Sequence, residues 1–157
     1  MPEGYAIQAI QSVLNSQQAY CKFLSANDSG ATGGHQSGIL ISKSAKNMMF
    51  SQDLKGENIL KRTVEIRWQD NSCTQSSFTY YSSKNELRIT RFGRNFSFLN
   101  PEQTGALFVF TKQDVDQYSG FFLETEEDIN QFLDAFGISP TETNRLIDAG
   151  QVQEETQ

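Results

Sequence analysis

Residues 59–69 constrain the fold more than any other stretch. Leu60, Arg62, Val64, Ile66 and Trp68 alternate with Lys61, Thr63, Glu65 and Arg67. A period of two sends successive side chains to opposite faces of a strand. One face here is apolar except for Arg62, and the other is polar throughout. The pattern therefore predicts a long strand with one face on a core and the other in water.

Further strands are read at 19–24, 39–42, 77–81, 105–112 and 118–124, from their aromatic and branched residues. Leu87 and Ile89, with Phe92, anchor another, which puts Glu86, Arg88 and Thr90 on its opposite face. Helical spacing of Ile7, Ile10, Val13 and Leu14 predicts a helix over 5–14 that packs that stripe on the body. A brief helix over 44–50 carries Met48 and Met49, read as core filler. Residues 126–136 read as a helix with Thr125 as N-cap, acids in its first turn, and Ile129, Phe132, Leu133 and Phe136 on one face. Gly137 ends it. Ser139-Pro140 starts a short final helix to Ala149. The fold class that follows is mainly β with flanking helices, an open β-barrel of about seven strands. Antiparallel pairing is expected, because helices do not alternate with strands. Residues 1–150 form one domain, and 151–157 are a polar tail or the start of a linker.

Two stretches carry chemistry. Residues 25–38 read Ser25-Ala26-Asn27-Asp28-Ser29-Gly30-Ala31-Thr32-Gly33-Gly34-His35-Gln36-Ser37-Gly38. They have no apolar period and form a loop dense in donors and acceptors, with glycines that let backbone approach a ligand. The phosphate-loop ending Gly-Lys-Ser/Thr is missing. His35, the only histidine, has no neighbouring ligand to make a metal site. Residues 84–94 hold four basic side chains, Lys84, Arg88, Arg91 and Arg94, with Asn85 and the single acid Glu86. Arg suits guanine edges and phosphates, Glu accepts from cytosine, and Asn pairs with adenine. A solvated outer strand face with cross-strand ion pairs would use the same residues.

Net charge is −6, which argues against nucleic acid until its distribution is read. Residues 1–100 hold 11 of the 13 Lys+Arg and 7 of the 19 Asp+Glu, while residues 101–157 hold 2 and 12. Screening makes a local basic patch matter more than a distant acidic segment. No stretch has the apolar length of a membrane span, and 1–20 lack the order of a signal peptide, so a cytoplasmic protein is expected. Cys21 and Cys73 fit no metal spacing and are expected as reduced thiols, Cys21 in the core.

The segment from Leu24 to Gln36 resembles the N-terminal effector domain of EcoRII-type restriction endonucleases. Glu86-Leu87-Arg88-Ile89-Thr90-Arg91-Phe92-Gly93-Arg94 and Pro101-Glu102-Gln103-Thr104-Gly105-Ala106-Leu107 are similar to later blocks of that domain, in the same order. The resemblance spans roughly residues 5–125. It implies the DNA-binding pseudobarrel shared with plant B-three domains, which hold double-stranded DNA between two arms. The N-arm would be Lys22 to Gln36, with Lys22 as a phosphate contact and Ser25, Asn27, Asp28, Thr32, Gly33, Gly34, His35 and Gln36 at the DNA. The C-arm would be Lys84 to Arg94, with Lys84, Asn85, Glu86, Arg88, Arg91 and Arg94. The implied target is CCWGG, where W is A or T, bound by one monomer per site. In that family the domain controls a separate catalytic domain, which would be the part that uses Mg²⁺. No cofactor or metal is expected for this chain, and no membrane partner.

A nuclease centre of the common class needs clustered carboxylates and a lysine around Mg²⁺. Asp53-Leu54-Lys55 has the residue types without the preceding acid or flanking strands. A small Mg-dependent nuclease and a β-barrel that binds a protein or small ligand stand as the alternatives.

Overall fold

The structure is a computed structural model that describes residues 5–25, 38–50, 59–81, 85–92, 104–114 and 117–147. Helix α1 (Tyr5–Leu14) leads into β1 (Gln18–Phe23). β2 (Ile39–Ile41) runs into a 3-10 turn (Lys43–Ala45) and the short helix α2 (Lys46–Met49). Then come β3 (Leu60–Trp68), β4 (Cys73–Tyr81), β5 (Glu86–Thr90), β6 (Leu107–Asp114) and β7 (Gln117–Leu123). Helix α3 (Glu126–Ala135), a 3-10 turn (Pro140–Glu142) and β8 (Arg145–Leu146) complete it. The eight strands make one curled sheet in the order β2-β5-β4-β3-β7-β6-β1-β8.

Every pairing is antiparallel except β3 with β7, where Trp68 lies opposite Gly120. That parallel joint connects two antiparallel units and departs from the all-antiparallel expectation. Among the described residues the strands number eight, against the about seven expected. The expected last helix is instead one 3-10 turn followed by β8, paired with Tyr20 and Cys21. Ser139 and Glu142 form a capping box, but Asn144 has φ +68°, which turns the chain out of the helix.

Two cores use the two faces of β1, β6 and β7. Inside the curl lie Tyr20, Leu24, Val64, Ile66, Trp68, Phe78, Phe108, Phe110 and Phe122, with Met48 and Met49. Each fully buried aliphatic or phenyl side chain of this kind contributes about 1.5–3 kcal/mol. Outside, α1 and α3 cover Ala19, Cys21, Leu107, Val109, Phe121 and Leu123. Burial pushes the Cys21 thiol up to about 12, so it stays protonated. In α3 the Thr125 hydroxyl accepts from the Asp128 N–H at 3.1 Å, and Phe132, Leu133 and Phe136 are buried.

The buried stripe of α1 differs from the expected one. Ala6, Ala9 and Val13 face the sheet, while Ile7 and Leu14 are 41% and 37% exposed. Positions 6, 9, 10 and 13 lie on one helical face, and small residues there let the helix sit close to the strands. Arg62, the charge on the apolar side of β3, is satisfied inside. It donates to the Met49 carbonyl and the Tyr118 hydroxyl, both at 2.8 Å, and lies over the Phe78 and Tyr118 rings.

Trp68 closes one end of the inner core. It stacks on Phe122 at 5.5 Å, tilts on Phe92 at 5.9 Å, and donates to the Thr74 hydroxyl at 3.0 Å. Its ring lies over Gly120, where an added Cβ would meet Cζ3 at 2.3 Å. A ring held on three sides has nowhere to retreat. Gly120→Ala is expected to destabilise by about 1–3 kcal/mol, seen as a lower denaturation midpoint at unchanged slope. A midpoint equal to the parent's would refute this packing.

Candidate nucleic-acid interface

β5 is built to present one face. Leu87 and Ile89 are fully buried, which leaves Glu86, Arg88 and Thr90 on the other side. The strand is bracketed by two left-handed residues, Asn85 at φ +55° and Arg91 at φ +65°. Asn85 is tolerated there and is held by the Tyr80 hydroxyl, which donates to its Oδ1 at 2.7 Å. Arg91 has no such local help. The Ser76 hydroxyl donates to its carbonyl at 2.9 Å, and Phe92 then returns to Trp68. The result is a strained turn that leaves the Arg91 side chain exposed, a kind of strain that concentrates at binding sites.

On the presented face, Arg88 Nη2 lies 3.3 Å from Glu86 Oε1, with the two side chains 15% and 31% exposed. Arg88 Nη1 reaches the Gly38 carbonyl at 3.5 Å. The acid therefore orients the guanidinium, and the guanidinium touches the residue that follows the 26–37 segment.

Both feet of that segment are fixed. At the first, the Leu24 N–H donates to Ala106 at 2.9 Å, and the Gly105 N–H donates to Leu24 at 3.0 Å. Ser25 follows, exposed. At the second, Gly38 has φ +102°, and a Cβ there would lie 2.0 Å from the Ile89 carbonyl oxygen. Only glycine fits that approach. Ile39, Leu40 and Ile41 then pair with Ile89, Arg88 and Leu87.

Lys22 is placed differently from the expectation of a phosphate contact. It is 8% exposed, and its Nζ donates to the Leu40 carbonyl at 2.7 Å. Thus Glu86, Arg88, Asn85, Arg91, Ser25 and Lys22 all lie on β5, beside it, or at the feet of the segment. Asn27, Asp28, Thr32, Gly33, Gly34, His35, Gln36, Lys84, Arg94 and the Asp53-Lys55 pair lie outside the described residues. Sequence reasoning missed Tyr20. Its hydroxyl accepts from the Ser42 N–H at 3.1 Å and donates to Asn144 Oδ1. A tyrosine in an apolar strand gives no sign of such remote partners.

Residues 13–142 match the family described as restriction endonuclease EcoRII, N-terminal. The chain belongs to that family. It is 35% identical over 99 residues to the type II restriction enzyme EcoRII of Escherichia coli, which covers 56% of this chain and 24% of that enzyme. The match thus spans about a quarter of the curated relative's length. As an EcoRII N-terminal family domain, the chain also shares its fold with the B3 domain of the UbaLAI restriction endonuclease, crystallised with cognate DNA. The TM-score is 0.58 at 18% identity, over 92% of this chain and 98% of that one. Mainly β architecture and the pseudobarrel expectation agree with this likeness. No helix among the described residues is long and apolar enough to cross a membrane.

Proposed function

We propose that this chain is a sequence-specific, double-stranded DNA-binding domain, the effector part of a type II restriction enzyme whose catalytic domain is separate. The observation that carries the reading is the partly buried Glu86–Arg88 pair on the polar face of β5, in contact with Gly38 at the foot of the 26–37 segment. Family membership supports it, as does a shared fold with a domain crystallised on its cognate DNA. One acid fixing one arginine on a polar strand face suits base reading, where direction matters, more than a plain phosphate clamp. Residues 25–36, which follow β1, serve as one arm and 84–94 as the other. The target is CCWGG-like, and one monomer covers one site. No metal or cofactor is needed for this step, and Mg²⁺ belongs to the separate catalytic part.

A ligand-binding barrel finds less support. Among the groups that line the polar depression beside α1, Ser12, Gln113 and Ser119 already bond one another.

Gel shifts on CCWGG and scrambled duplexes with Mg²⁺ present test the proposal. Specific retention without cleavage is expected. Cleavage would favour the nuclease, and no shift on any duplex the ligand module. Lys84, Arg91 and Arg94, with the exposed Lys43 and Lys46, supply the phosphate contacts. For about 4–6 of them, log K is expected to fall against log[salt] with a slope of about −4 to −5. A slope near zero would remove these side chains from the backbone.

A further inference from the structure

The sheet is open between β1 and β2, the two strands that flank residues 26–37. β2 is one edge, and β1 lies next to the other, so no ladder joins them. Side chains bridge the gap instead. Lys22 Nζ donates to the Leu40 carbonyl at 2.7 Å. The Tyr20 hydroxyl takes the Ser42 N–H and donates to Asn144 beside β8. Leu40 is also the cross-strand partner of Arg88, and Arg88 is the partner of Thr79. Lys22, Leu40, Arg88 and Thr79 therefore form one row across the seam.

We infer that Lys22 and Tyr20 are positioning residues for DNA reading, which hold β1 at a fixed distance from β2 and so set the N-arm against the Arg88 face. This rests on the DNA-reading proposal above. A lysine whose ammonium is buried and bonded to a backbone carbonyl is poorly placed to release counterions from a phosphate. Its loss disturbs the relative placement of the arms, which base reading requires, and leaves the number of phosphate contacts as it was.

The test measures binding of the whole chain to CCWGG and random duplexes over a salt series, for the parent, Lys22→Met and Tyr20→Phe. Lys22→Met is expected to weaken the specific complex by about tenfold or more, a cost near that of a lost charged hydrogen bond. Tyr20→Phe is expected to weaken it by roughly threefold to tenfold. Random-duplex affinity and the salt slope should stay at parental values for both. A slope shallower by about 0.9 in Lys22→Met would make Lys22 a phosphate ligand and overturn the inference. Equal losses on both duplexes would reduce the pair to general support of the fold, and parental affinities on both would leave them no role; each overturns it. If Lys22→Met loses its cooperative thermal transition, Tyr20→Phe, which changes no charge, decides the matter. Failure of the parent to prefer CCWGG would sink the target reading and this inference together, whereas failure of the variants alone sinks only the inference.

Discussion

Replacing Gly38 by alanine is expected to cost about 2–5 kcal/mol of stability and to abolish specific DNA binding. At φ +102° an L side chain is strained whatever the space around it. The added Cβ would also lie 2.0 Å from the Ile89 carbonyl oxygen and 2.8 Å from Thr90 Cγ2. Thr90 can rotate, but Ile89 is backbone of β5, held on one side by Phe78 of β4 and on the other by Ile39 of β2. Relief must come from lifting Gly38 off β5. That removes the carbonyl that Arg88 touches and shifts the foot of the 26–37 segment. Chemical denaturation reports the stability, and a duplex titration below the unfolding midpoint reports the binding. A variant as stable as the parent, with parental affinity, would refute the close approach.

Arg88→Ala and Glu86→Ala should part company on specific and random duplexes. Removing Arg88 should cost about 1–3 kcal/mol on the specific site, roughly 5- to 150-fold in Kd, and much less on random DNA. Glu86→Ala is the sharper experiment. It deletes a negative charge from the surface proposed to face DNA, so simple electrostatics predicts tighter binding everywhere. Because Glu86 is the side-chain partner that orients Arg88 at 3.3 Å, the reading role predicts weaker specific binding and equal or tighter random binding. Equal shifts on both duplexes for both variants would reduce this face to an electrostatic clamp.

Much of this architecture was legible in the sequence because it rests on local pattern. The alternation over 59–69 became β3, and Arg62 proved the exception for a visible reason, an internal set of acceptors. Thr125 and the acids after it fixed the start of α3, since a cap is made within four residues. The buried anchors Leu87 and Ile89 place Glu86 and Arg88 together on the opposite face by alternation alone. Features made by remote partners were not legible. β8 exists because Arg145 and Leu146 meet Tyr20 and Cys21, and two residues alone carry no strand signal. The first residues of β4, Cys73 to Gln75, have no apolar alternation and are strand because β3 supplies their register. In α1, hydropathy ranks Ile7 and Leu14 above Ala6 and Ala9, but closeness to the sheet favours the small residues. The same limit applies at the site. Lys22 looks like any basic residue near an arm until its carbonyl partner, eighteen positions on, comes into view.

The division of labour between the two faces of the sheet bears on how such a domain can change over generations. β1, β6 and β7 are walled in on both sides, by the inner core and by the helices, so nearly every substitution there disturbs packing. β3 and β5 lend only one face to a core. Lys61, Thr63, Glu65 and Arg67 are exposed, while Glu86 and Arg88 are partly buried. Substitutions at exposed positions usually alter stability by only about ±0.5 kcal/mol. A lineage can therefore revise the outward residues of β3 freely, and those of β5 at a modest cost, while the strands that hold the fold together stay as they are. Gly38 marks the boundary of that freedom, because it is buried against the backbone of β5 and admits no side chain.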